Sequence, residues 1–157
     1  MTQNEVGHTF APEAIKAQAV AAYTYVKFCN EDGTYPSVGL ASTVSDSVNV
    51  LVQSVLGKAI YYNGALIQAV YSASSAGYTA SSKNVWGTDK GYLKGKSDPY
   101  EAQTSIPNYQ WSVTYTVDEL SWILDQKGYD VGTVQDVYVS EYTPSGNVRA
   151  VTFVGTK

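Results

Sequence analysis

Glu5 is the first side chain to weigh for chemistry. It stands in "QNEVGHTFAPEAIKAQ", residues 3–18, in a Gly-containing stretch that reads as an approach loop to an alanine-rich helix. An acid there is either solvated surface or a proton donor. Glu13, eight residues on, stands where a helix opens. Its ordinary task is to face the positive end of the helix dipole; its alternative is to serve as a second carboxylate. His8 and Cys29 are the sole histidine and cysteine. A Cys–His nucleophile would need them together, but Cys29 ends a helix expected to be buried, where a small thiol is ordinary packing. One His and one Cys lack metal-ligand spacing, so no metal and no other cofactor is expected.

The second chemical region is the polar, turn-rich stretch 72–103. Ser74, Ser75, Gly77, Tyr78 and Thr79 combine small residues, which let a ligand approach the backbone, with hydroxyls that bond sugar hydroxyls and N-acetyl groups. The plainer alternative is a polar turn. Trp86 and Tyr100 suit either stacking on sugar faces or anchoring a core. Lys83, Lys90, Lys94 and Lys96 are four of the ten basic residues, within fourteen positions. Such a run is either a solvated face or a reader of anionic ligand.

Elements must position these groups. Pro12 fits a first helical turn, and residues 14–29 stay helix-compatible, with Ile15, Ala19, Ala22 and Val26 on one face. So thin a helix lets backbone approach closely and is expected to be buried. Residues 30–42 read as loop. Ser45 or Asp46 opens a second helix to about Leu56, stopped by Gly57. Residues 59–62 and 65–71 flank Asn63-Gly64, a hairpin signal. A loop as long as residues 72–103 is uncommon in a compact domain unless functional. Residues 110–116 read as a strand. Thr116 and Glu119 form a capping box for a helix ending near Lys127, with Gly128 at its C-cap. Residues 134–142 and 147–154 surround Pro144-Ser145-Gly146 as a last hairpin. The fold class is α+β: one mixed domain over residues 1–157, with an Ala-rich buried helix, two or three β-hairpins and a long groove-forming loop.

Composition narrows the partners. The 157 residues are 44% hydrophobic and 15% charged, and 14 acids against 10 bases give a net charge of −4, so no nucleic-acid footprint is present. Fourteen Tyr against three Phe make the aromatics mostly amphipathic, as in sugar-handling domains and also in plain β-rich folds. One cysteine forms no intrachain disulfide. There is no charged-then-apolar leader and no apolar run near membrane-spanning length. If the natural protein is exported, its signal or anchor lies outside this stretch.

Two long motifs then carry a resemblance. "PEAIKAQAVAAYTY", residues 12–25, resembles the hallmark helix of the sporulation stage II protein D family, which includes the amidase-enhancer proteins. "YSASSAGYTASSKNVWG", residues 71–87, with "YLKGKSDPY", residues 92–100, resembles its second hallmark. Trp111 and the helix over residues 117–127 also fit, so the likeness spans nearly the whole chain. The resemblance implies peptidoglycan as partner and lytic transglycosylase activity: cleavage of the β-1,4 bond between N-acetylmuramic acid and N-acetylglucosamine, on strands stripped of stem peptides, leaving a 1,6-anhydro end. The family's catalytic Glu precedes the Glu that opens the hallmark helix by eight residues, and Glu5 holds that position relative to Glu13. Ser74, Ser75, Gly77, Tyr78 and Thr79, with Trp86, Tyr100, His8 and Lys83, are the implied substrate-binding set. The place implied is extracytoplasmic, at the cell wall or membrane.

The chain departs from the pattern in three places. Val6-Gly7 follows Glu5 where the family usually has Met-Pro or similar. Tyr23 stands where Arg is common. Ser72, Ser74 and Ser75 occupy positions where some members place Cys and His on zinc, which argues against a metal. The family domain normally extends beyond both ends of these residues, so a trimmed piece is expected. The alternative function is a non-catalytic amidase enhancer that grips glycan and recruits a cell-wall amidase.

Overall fold

The structure is a computed structural model, and it describes residues 1–36, 38–101 and 110–157. Ser37, in the first expected loop, and residues 102–103, at the end of the long one, lie outside the described residues. Helices and small antiparallel sheets make the chain α+β, as expected. It forms two compact units, Met1–Ser72 and Ala73–Lys157.

In the first unit a short helix, α1 (Thr2–Val6), precedes the long helix α2 (Pro12–Glu31). Glu5 is therefore helical, not in a loop. Five residues are too few to hold a helix by themselves. Two tertiary bonds through the Gln3 amide hold α1 instead: Gln3 Nε2 donates to the Thr43 carbonyl at 3.3 Å, and the Ser45 N–H donates to Gln3 Oε1 at 2.8 Å. Neither is legible in local sequence, because the partners lie 40 and 42 residues away.

Pro12 opens α2 at its first turn, where a missing N–H is harmless. Ile15, Ala19, Ala22 and Cys29 are buried, at alternating spacings of four, three and seven, the period of one helical face. Val26, between them, is half-buried, whereas Ala14 and Ala17 are exposed. The helix thus buries one stripe rather than its whole surface. Thr24 is also fully buried; its hydroxyl donates to the Val20 carbonyl and accepts the Ile60 N–H at 3.0 Å, satisfying both groups without water.

Helix α3 (Asp46–Gln53) begins after Ser45 and gives way to turns before Gly57, three residues short of the expected end. It packs Val48 into the same core. Asn63 and Gly64, both at positive φ, turn the hairpin of β1 (Tyr61–Tyr62) and β2 (Ala65–Leu66). The hairpin is real but shorter than its apolar flanks suggested; one further bond, Ile67 N–H to the Ile60 carbonyl, extends it.

In the second unit the polar stretch is organised by backbone pairing rather than left loose. Tyr78 and Ser97 form an antiparallel bridge, flanked by Thr79 N–H to Lys96 O at 2.8 Å and Asp98 N–H to Gly77 O at 2.9 Å. A short helix, α4 (Ser82–Trp86), follows, with the Ser81 hydroxyl accepting the Asn84 N–H. Residues 110–116 form no strand. The capping box is present: Thr116 Oγ1 accepts the Glu119 N–H, and the Glu119 carboxylate accepts the Thr116 N–H, opening α5 (Val117–Gln126). The last hairpin pairs β3 (Val134–Tyr142) with β4 (Val148–Gly155), close to the expected bounds. Helix α5 packs on β3 through Leu124 and Val134, and the Ser121 hydroxyl accepts the Val134 N–H at 2.9 Å.

Candidate functional site

Glu5 projects from α1 and is exposed. The partial burial expected of a general acid is thus absent among the described residues. α1 packs against α2, and the first unit also holds an aromatic pair. Tyr25, on α2, meets Tyr71 edge to face, with ring centroids 6.5 Å apart and planes at 74°, a favoured geometry for aromatic pairs. Burial, then the charge of Glu5, then Tyr25 hold the Tyr71 phenol above its ordinary range. Burial first, and then Cys29, do the same for Tyr25. Cys29 is buried against this cluster, away from any pairing with exposed His8. Glu13 pairs with Lys16 at 2.7 Å in the first turn of α2 and is mostly exposed, as a dipole-facing acid should be. An open cleft of about 570 Å³ lies between α2 and the turns after α3, lined by Glu13, Lys16, Val20, Ser54, Lys58 and Ile60. None of the expected substrate-binding residues lines it.

The second unit holds a more highly organised centre, and its key residue escaped the sequence. Glu101 is 8% exposed, and its carboxylate gathers the Ser74–Gly77 turn. The Ser75 N–H reaches both carboxylate oxygens at 2.9 Å, the Gly77 N–H reaches one at 2.9 Å, and the Ser75 hydroxyl donates at 2.5 Å. The Ser74 hydroxyl is the largest of the influences that lower its pKa to about 2; the Ser75 hydroxyl and the Gly77 and Ser75 N–H groups add to it, against a smaller opposing effect of burial. Each of these bonds favours the ionised carboxylate. Ala76 and Gly77 both take positive φ, 54° and 86°; the Ser75 and Gly77 N–H groups meet the carboxylate, while the Ala76 N–H between them donates to the Ser74 hydroxyl at 3.3 Å. No local signal marks Glu101, because the Ser75 and Gly77 groups it holds lie 26 and 24 residues away.

This clamp assigns the polar residues unequally. Ser75 spends its hydroxyl on Glu101. Thr79 spends its own on accepting the Lys96 N–H at 2.9 Å. Tyr78 is partly exposed above the bridge, and Gly95 lies so close beneath it that a Cβ there would stand 2.9 Å from the Thr79 carbonyl and 3.0 Å from the Tyr78 ring. Trp86, 54% exposed at the end of α4, and Tyr100, 73% exposed, are not core anchors. Lys83, Lys94 and Lys96 are exposed and Lys90 is half-buried. The Lys90 N–H donates to the buried Ser82 hydroxyl at 2.8 Å, and the Ser82 N–H donates to the Leu93 carbonyl, so one buried serine fixes the segment carrying three of the four lysines. Among the described residues no group of three or more His, Cys, Asp or Glu side chains could hold a metal, and no helix is long and apolar enough to cross a membrane.

No family model matches the chain, and no solved structure matches it. Two curated proteins of Bacillus subtilis (strain 168) do. The chain is 34% identical over 133 residues to "Amidase enhancer", covering 82% of this chain and 17% of that protein. It is 27% identical over 150 residues to "Stage II sporulation protein D", covering 79% of this chain and 43% of that protein. The chain thus spans less than half the length of either relative. With both hallmark segments in place on α2 and on the turn that Glu101 clamps, the chain belongs to the stage II sporulation protein D and amidase-enhancer family.

Proposed function

We propose that this chain is a peptidoglycan lytic transglycosylase, extracytoplasmic in its full-length setting, with Glu5 as its single acid and base. The observation that carries the reading is the placement of Glu5: an exposed carboxylate, on a helix fixed by Gln3, at the family's catalytic position relative to Glu13. Cleavage needs a proton on the departing glycosidic oxygen. Glu5 gives it, the muramic 6-hydroxyl closes on C1, and the proton of that hydroxyl returns to Glu5. No second carboxylate is needed, which leaves Glu13 to its pairing with Lys16. The bound strand itself supplies the burial that Glu5 lacks when free. In the first unit His8, and in the second unit Ser74, Ser75, Gly77, Tyr78, Thr79, Trp86, Tyr100 and Lys83, are each a strand-binding residue on this reading, and the lysines attract the free lactyl carboxylate of peptide-stripped muramic acid. No cofactor takes part.

A second reading has its own support. One relative is named for enhancing an amidase, and Val6-Gly7, after Glu5, and Tyr23, on α2, depart from the family pattern. On that reading the chain grips glycan and recruits a cell-wall amidase without cleaving. Mass spectrometry of glycan strands incubated with the protein separates the two. Anhydro-muramyl ends support the transglycosylase; strands retained intact support the enhancer.

A further inference from the structure

Tyr78 follows directly on the turn that Glu101 clamps, and the fold holds it from several sides. Its N–H donates to the Ser75 carbonyl at 3.2 Å, and Ser75 and Gly77 are themselves bound to Glu101. Across the strand it pairs with Ser97. These contacts fix its backbone. Gly95 fixes its side chain. A Cβ at residue 95 would stand 3.0 Å from Cε1 of the Tyr78 ring and 2.9 Å from the Thr79 carbonyl oxygen, closer than unbonded heavy atoms pack. Gly95 does not take a positive φ, so space alone requires glycine there. The held ring still faces solvent: Tyr78 is 38% exposed, and its hydroxyl has no hydrogen bond among the described residues. A tyrosine serving only the core would be buried, with that hydroxyl bonded. Trp86 and Tyr100, at 54% and 73% exposed, have more rotamer freedom to lose on meeting a ligand.

We propose that Tyr78 is the ring against which a sugar of the glycan strand stacks, and that Gly95 is its positioning residue. This rests on the reading of the turn from Ser74 to Thr79 as strand-binding, and it holds whether or not the strand is then cleaved. A pyranose offers a patch of C–H groups edged by hydroxyls. Tyr78 offers the matching pair, an apolar ring and a hydroxyl at its tip. Because the ring is seated before the strand arrives, binding costs little further ordering.

Calorimetric titration with peptide-stripped glycan strands tests it, with melting followed on each variant. Tyr78→Leu removes the ring and should weaken binding about two- to tenfold. Tyr78→Phe keeps the ring and should lose less. Gly95→Ala leaves the ring present but takes its seat. It should weaken binding in the wild-type background and add little in the Tyr78→Leu background, because the ring it would displace is already gone. An equal loss from Gly95→Ala in both backgrounds overturns its positioning role. Equal losses in Tyr78→Leu and Tyr78→Phe make the hydroxyl the contact and overturn the stacking. Wild-type affinity in Tyr78→Leu overturns the proposal alone, whether or not Gly95→Ala folds. A wild type that binds no stripped strand overturns the strand-binding reading of the turn, and with it this role.

Discussion

The Glu101 carboxylate accepts the Gly77 N–H at 2.9 Å, closing a span of twenty-four residues. With the Ser75 contacts it makes the turn of the second hallmark a consequence of one buried acid. Its pKa, about 2, lies below the ordinary carboxylate value of 4.5. A depressed carboxylate stabilises the fold fully above its unfolded pKa, and that stabilisation is lost as pH falls through the folded value. Wild-type stability should therefore decline between about pH 5 and pH 2. Glu101→Gln should be less stable at pH 7 and show a shallower acid decline. Denaturant melts at both ends of that range check it; parallel declines would remove Glu101 from the account.

The capping box gives a test of the scaffold alone. Thr116→Ala removes the acceptor for the Glu119 N–H and should cost about 1 kcal/mol in chemical denaturation. Glycan binding should be unaffected.

Replacing Lys83, Lys90, Lys94 and Lys96 with Gln should weaken binding to peptide-stripped glycan at low salt. The loss should shrink as salt rises and screens the lactyl carboxylates. Equal binding by wild type and the quadruple variant at low salt would reduce the run to a solvated face.

Chelator should leave activity and binding unchanged. Loss on chelation with recovery on adding zinc would contradict the serine-for-ligand reading of Ser72, Ser74 and Ser75.

Much of the scaffold is legible because its signals are local. The Thr116/Glu119 box, the Asn63-Gly64 turn and the last hairpin each depend on residues a few positions apart. Residues 110–116 misled for a related reason. Trp111, Val113 and Tyr115 alternate as a strand does, but all three are exposed and no strand pairs with them among the described residues. Strand periodicity without a partner makes no strand. Helix α1 and the Glu101 clamp are not legible in the sequence because both depend on bonds spanning 24 to 42 residues, and one sequence carries no trace of such pairings. The position of Glu5 was legible only through the family pattern, since exposure and local sequence alone mark it as an ordinary surface acid.

Glu5→Gln tests the central claim most directly. Gln keeps the size and shape of the side chain but neither gives nor takes the proton. Release of anhydro-muramyl ends, read by mass spectrometry, should fall by about 10²–10⁴-fold or more, with melting and glycan binding nearly unchanged. Glu13→Gln should lose a little stability from its exposed pair with Lys16 and keep most of the activity. Release at the wild-type rate by Glu5→Gln would contradict the single-carboxylate mechanism and make Glu13 the next residue to test.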